Sequence, residues 1–168
     1  MKRIGSVALV SAVAMALLAG GAQAQINSPP PPLQGQPSYH LYSVPGVMHG
    51  ISGLATTFSC TNTGSSAVRV GVELFPDGGG PAINDASATS VELLLPGDTR
   101  LFATGSLLWT FGVVDVNNND VGLLATSARI LATSKSVICG AFLTDAANVP
   151  PTSMAPLTIV KKTKQKGD

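Results

Sequence analysis

Charge and aromatic rings are both scarce in this chain: Asp, Glu, Lys and Arg make up 11% of it, and Phe, Trp and Tyr 5%. The first shortage leaves no basic patch able to hold a nucleic-acid backbone, so no nucleic-acid site is expected. The second leaves few rings for the platforms that sugar-cleaving clefts use, since one Trp, two Tyr and five Phe must also furnish a core. Only two histidines are present, His40 and His49, and no Gly-x-Ser-x-Gly elbow occurs. A serine hydrolase would therefore have to draw its base from that pair. Structural zinc lacks ligands. Gly78-Gly79-Gly80-Pro81 lacks the spacing of a phosphate-cradling loop, and no helical pattern follows it. After residue 24 no apolar run approaches the roughly 18 residues of a membrane span. No membrane anchor is expected in the mature chain.

What is present begins at the N-terminus. Met1-Lys2-Arg3, an apolar run from Val7 to Ala19 and the exit Ala22-Gln23-Ala24 have the three regions of a secretory signal peptide, with cleavage predicted before Gln25. Export to an oxidising compartment, a bacterial periplasm or the exterior, gives Cys60 and Cys139 their reading as one disulfide rather than as a nucleophile or ligands. Removing the leader leaves about 140 residues, the size of one domain. Residues 25–38 hold Pro29 to Pro32, Gly35 and Pro37 and are expected to form an extended linker or arm. Residues 39–161 form the body, and 162–168 a basic tail. The last eight residues carry four lysines and one aspartate, a short run expected to be a solvated end.

Period-two alternation dominates the body, the mark of half-buried strands. Val68, Val70, Val72 and Leu74 share one face, and Arg69, Gly71 and Glu73 the other. Val91, Leu93 and Leu95 alternate with Glu92 and Leu94, then Pro96-Gly97-Asp98 turns the chain into a strand over Thr99 to Thr104. Further strands are predicted over Thr56 to Asn62, Leu108 to Val116, Leu123 to Thr133, Ser136 to Leu143 and Pro156 to Lys161. A first strand over Tyr39 to Val44 is expected to close at Pro45-Gly46. Ile83 to Ser90 has room for one helical turn at most. An all-β, antiparallel β-sandwich of about eight strands follows. Cys60 shares a face with Phe58, and Cys139 with Val137, Ala141 and Leu143. Both are expected to point inward and to meet across the space between the sheets.

Cys60-Thr-Asn-Thr-Gly64, the alternating strand to Leu74, Asp77-Gly78 and Leu95-Pro-Gly-Asp-Thr99 together resemble the pattern of bacterial immunoglobulin-like or fibronectin-III-like domains over residues 54–104. The resemblance implies a sandwich fold and no particular activity. The one tryptophan, Trp109, lies about fifty residues beyond Cys60 rather than on the next core strand, which departs from true immunoglobulin domains.

Two metal sites are conceivable from residue type. Asp115, Asn117, Asn119 and Asp120 place alternate oxygens as a calcium loop does, although an EF-hand needs Gly and Glu where Asp120 and Thr126 stand. His40, Met48 and His49 are copper-ligand types, although no histidine follows Cys139 to complete a blue-copper arrangement. The competing reading makes Asn117 to Asp120 a turn, Met48 a packing residue and both histidines surface or structural groups. With no complete catalytic set and no cofactor implied, the sequence favours an exported, non-enzymatic binding, adhesion or accessory module. Its unknown protein or cell-surface partner would be met by the loops Asp77 to Asp85 and Asn117 to Asp120, or by an edge strand. A small exported hydrolase or a copper- or calcium-binding protein is the alternative.

Overall fold

The computed structural model describes residues 26–49, 53–84, 86, 90–107, 112–116 and 123–162. The expected signal peptide, the expected turn Asn117 to Asp120, Trp109 and most of the basic tail lie outside them. No helix occurs among the described residues, and ten strands do: β1 Tyr39–His49, β2 Leu54–Asn62, β3 Val68–Phe75, β4 Val91–Leu94, β5 Thr99–Ala103, β6 Val114–Asp115, β7 Leu123–Ala132, β8 Val137–Asp145, β9 Met154–Pro156 and β10 Val160–Lys161. These are the stretches where β-branched and aliphatic residues alternate with small or polar ones, a pattern suited to a pleated surface buried on one side.

The strands form two sheets. Sheet 1 runs β4-β3-β7-β1-β10 and sheet 2 runs β9-β8-β2-β5-β6. All pairings are antiparallel except β5 with β6, whose Phe102 lies opposite Val114 in a parallel bridge. At its far end β1 bridges the two sheets, since His49 pairs both with Leu123 of β7 and with Ala55 of β2. One core fills the space between the sheets. Val44, Val70, Val72, Leu74, Leu94 and Ile130 enter it from sheet 1, and Phe58, Cys60, Phe102, Val137 and Ala141 from sheet 2.

Several sequence expectations change. Ten strands stand among the described residues where about eight are expected, and the expected strand over Pro156 to Lys161 is two short ones on different sheets: β9 pairs with β8, β10 with β1. Leu157 and Ile159 pack against the core where the chain crosses between them. β1 does not stop at Pro45-Gly46. Gly46 has φ 76°, the register shifts there, and Val47 returns fully buried, so the pair forms a bulge inside a longer strand. Of the expected strand Leu108 to Val116, residues 108–111 lie outside the described ones and only Val114–Asp115 pairs. In β4 the faces are reversed. Leu94 enters the core, whereas Val91 and Leu93 lie on the outer side.

Cys60 and Cys139 are disulfide-bonded, but not from sheet to sheet. They stand directly opposite each other on the neighbouring strands β2 and β8, with Cα atoms 4.2 Å apart, the spacing of a non-hydrogen-bonded cross-strand pair. Alternation along the two strands places both sulfurs on inward faces, and the structure does so too. An inward face alone does not distinguish a neighbour in the same sheet from a residue on the opposing one.

Candidate functional site

The chemistry of this chain gathers on the outer face of sheet 1. Arg129 of β7 lies opposite Glu73 of β3, and its Nε donates to Glu73 Oε2. Both side chains are buried, Arg129 at 0% exposure. A charged pair on the outward side of a sheet stays dry only if something covers it. The cover is the Pro-rich segment ahead of β1. Arg129 Nη1 donates to the carbonyls of Ser28 at 2.7 Å and Ile26 at 3.3 Å, so charge-assisted bonds tie the guanidinium to the segment's backbone. The same guanidinium stacks 5.3 Å from the centre of the Phe75 ring.

Further along, Leu33, Gln34, Gly35 and Gln36 form a tight turn closed by Leu33 N–H to Gln36 O at 2.9 Å and the reciprocal bond at 3.1 Å. Gln34 and Gly35 both have positive φ, 46° and 79°, as a two-residue primed turn requires. The turn drives Leu33 into the sheet, where it is fully buried with Val91 and Leu131. Gly71 is the floor of this seat. A Cβ there would meet Leu33 Cδ2 and Ala86 O at 3.1 Å each. Residues 26–38 are thus an arm seated on β3, β7 and β4. This explains why Gly71 and Glu73, on the polar side of the β3 alternation, are buried.

His40 and Ser43, on the β1 part of this region, are joined by an Nε2 to Oγ hydrogen bond of 3.0 Å. Burial, then the positive charges of Arg129 and Lys162, push the His40 pKa down to about 4 against a bond to the Tyr42 backbone that raises it. His40 is therefore neutral near pH 7. His49 sits at the other end of β1, nine positions along an extended strand, so β1 itself separates the two histidines by roughly 25–30 Å. Met48 accompanies His49, not His40. Its backbone is pinned by threonines: Met48 N–H donates to Thr56 Oγ1 at 2.9 Å, and Thr104 Oγ1 donates to Met48 O at 2.8 Å. The three copper-ligand types are thus not brought together by the fold. Asp115 lies exposed on β6, and Asn117, Asn119 and Asp120 lie outside the described residues. Among the described residues no group of three His, Cys, Asp or Glu side chains is gathered as a metal site.

Two open grooves flank the arm. One, about 460 Å³, lies at the loop end and is lined by Asn27 of the arm, Pro45, Phe75, Asp77, Gly79 and Thr126, among others. The second, about 710 Å³, lies at the turn end beside Gln36, Tyr39, Ser65, Ser66, Thr133 and Ser136. The other polar side chains with several bonds hold loops. Asn62 donates to Ser66 O and Leu94 O and accepts from Gly64 N–H, and its backbone pairs with Gly97 and Asp98. The two turn motifs quoted from the sequence, Asn62-Thr-Gly64 and Pro96-Gly97-Asp98, therefore meet and brace each other. Asn84 bonds the free edge of β3 at Leu74 N–H and Val72 O, both at 2.7 Å. Asp145 accepts from Thr152 Oγ1 and N–H, Asn148 and Ala147, which hold its carboxyl well below the usual carboxylate range.

The sequence singled out neither Arg129 nor Glu73. The signal that could have found them was Leu131 beside Arg129 on the outward side of a predicted strand, a combination that makes sense only on a covered face. Comparison with protein-family models, with curated proteins and with solved structures finds no match to this chain.

Proposed function

We propose that this chain is an exported, non-enzymatic sandwich of the immunoglobulin-like type with a binding, adhesion or accessory role, meeting a protein or cell-surface partner in a bacterial periplasm or outside the cell. One observation carries this reading. The side chains best equipped for chemistry, Arg129, Glu73, His40, Asn62, Asn84 and Asp145, line neither groove, and their bonds go to their own chain. What the molecule offers outward is loop surface. The groove beside Phe75, Asp77 and Gly79 belongs to the loop that the sequence marks as a contact surface, and loops carried on a rigid scaffold are where such modules bind. The disulfide is consistent with an oxidising location. No helix among the described residues is long and apolar enough to cross a membrane.

The alternative enzyme reading has one arrangement in its favour, the His40–Ser43 pair. A base with pKa about 4 is poorly matched to proton abstraction near neutrality. The deciding experiment expresses the full chain in a bacterial host with a photo-crosslinking residue at Gly79, and a matching one at Leu93 on the outer side of β4 as control. Envelope-localised protein beginning at Gln25, with an adduct at position 79 that is absent at 93, supports the proposal. Material retained in the cytoplasm with both thiols free overturns it. Hydrolytic activity lost in His40→Ala would move the reading to the enzyme, and copper uptake lost in a His40→Ala, His49→Ala double variant would move it to a metal carrier.

A further inference from the structure

The turn-end groove, about 710 Å³, has two unlike sides. Its volume falls within the roughly 300–1,000 Å³ of small-ligand sites. One side is apolar: Pro37 from the end of the arm, and the ring of Tyr39, 48% exposed at the start of β1. The other is a wall of hydroxyls, Ser65 and Ser66 from the β2–β3 turn and Thr133, Ser134 and Ser136 from the β7–β8 turn. The two turns are locked together. Thr63 N–H and Oγ1 both donate to Ser136 O, at 2.8 and 2.9 Å, and Asn62 braces the first turn through Ser66 O and Gly64 N–H. A Cβ on Gly64 would stand 2.5 Å from Ser136 Oγ, so glycine is what lets the turns touch and the hydroxyl wall run unbroken. Lys135, beside Ser134, has its Nζ 5.1 Å from the centre of the Tyr39 ring and ties the two sides to each other. Walls fixed in this way lose little freedom when a ligand arrives.

The hydroxyls retain bonding capacity. Ser134 and Ser136 share one hydrogen bond of 2.8 Å, which uses one of their two protons. Thr133 Oγ1 accepts from Arg69 N–H at 3.0 Å and keeps its own proton to donate. None of the described residues lining the groove is charged, so a phosphate or carboxylate would find no paired charge there, and no pair of carboxylates stands ready to cleave a glycosidic bond. The fitting ligand carries neutral groups that both donate and accept, on a body with an apolar face. A sugar ring has both, hydroxyls at its edge and C–H groups over its face.

We propose that the turn-end groove binds a short neutral oligosaccharide, one sugar ring lying against Tyr39 and its hydroxyls bonding Ser65, Ser66, Thr133, Ser134 and Ser136. The site is separate from the loop-end groove and depends on neither export nor a protein partner.

The test titrates the full chain, isotopically labelled and with its disulfide intact, with maltotriose, mannotriose, chitotriose and galactotriose in turn, each to millimolar concentration, and follows amide shifts by NMR. At least one sugar is expected to move Tyr39 and residues 63–66 and 133–136 together and saturably, leaving residues 77–80 unmoved. Tyr39→Ala and the Ser134→Ala, Ser136→Ala double variant should each weaken that sugar about tenfold, the worth of one ring contact or a pair of hydrogen bonds. Ser65 is exposed, so Ser65→Glu obstructs the groove without touching the core and should abolish binding, which keeps the test decisive if Tyr39→Ala fails to fold. No saturable shift with any of these sugars overturns the proposal. So do shifts centred on residues 77–80, or binding that survives Ser65→Glu. Shifts of the groove residues with inorganic phosphate and with no sugar would overturn it too, marking an anion site at Lys135 instead.

Discussion

The two outer faces of this molecule solve the same problem in opposite ways. Sheet 1 carries a buried Arg129–Glu73 pair and an aliphatic patch on its outside, and the chain folds its own arm over them. Among the described residues sheet 2 is covered at one end, where Leu107 packs on Ala55 and Ala103. The register of β2, β5 and β8 places Ser59, Thr61, Thr99, Leu101, Ile138 and Gly140 on the rest, and none of these is charged. Thr61 and Thr99 share a hydroxyl bond of 2.8 Å there, and Ile138 is 58% exposed. A face that mixes hydroxyls with single aliphatic groups can stand in water without a lid, whereas desolvated charges require one. The difference is thus set by residue type on the outward positions.

That contrast can be broken by substitution, and the largest effect belongs to the covered face. Arg129→Met leaves Glu73 buried without its partner and should cost about 3–5 kcal/mol in denaturant unfolding, with much of the loss recovered in the Arg129→Met, Glu73→Met double variant. A loss under about 1 kcal/mol would mean that water reaches the pair and that the arm is no lid. On sheet 2 the strongest single tie is covalent. Reducing the bridge, or replacing both cysteines by alanine, should cost roughly 4 kcal/mol on the chain-entropy model for the loop between Cys60 and Cys139. Chemical unfolding with and without reductant measures it.

A smaller effect sharpens the comparison by pH. The folded pKa of His40 lies below its ordinary value, so the unfolded chain binds the proton more tightly and stability falls as pH drops from about 6.5 towards 4. The group is half-buried, so solvent screening reduces the effect to on the order of 1–2 kcal/mol. In His40→Gln the slope of stability against pH across this window should vanish. Asp145 acts in the same direction but at lower pH, because its carboxyl is held below the normal range and its contribution is lost only as it protonates. The smallest expected change has the opposite sign. Thr57 Oγ1 is buried on the covered end of sheet 2 with no hydrogen-bond partner among the described residues. Thr57→Val keeps the shape, removes the orphaned hydroxyl and should stabilise by about 1 kcal/mol in thermal unfolding.

Much of this architecture is legible in the residues alone. The β3 alternation places Val68, Val70, Val72 and Leu74 inward, and the structure agrees, as it does for the Pro96-Gly97-Asp98 turn and for the disulfide. These are local signals, in which periodicity and turn chemistry fix the outcome within a few residues. The reversal of faces in β4 is not legible. Its three apolar residues cannot all enter one core, and the arm that covers Val91 comes from some sixty residues away in sequence. Arg129 and Glu73 become a pair only through the β3–β7 register, which no single strand reveals. Leu33 reads as an isolated aliphatic group among prolines and glutamines until Gly71 provides a floor for it. The copper-ligand types look grouped because ten residues hold all three, but along an extended β1 His40 stands far from Met48 and His49.

One consequence of the staple between β2 and β8 concerns mechanical load. When any protein is pulled by its two termini, the chain released by unfolding lengthens it. With Cys60 joined to Cys139, tension passes through the sulfurs, and the 79-residue span between them cannot be drawn out. Strands β3 to β7, with the Arg129 and Glu73 that hold the arm, lie inside that span and stay slack. Under force the molecule would yield at its ends while its middle keeps its length.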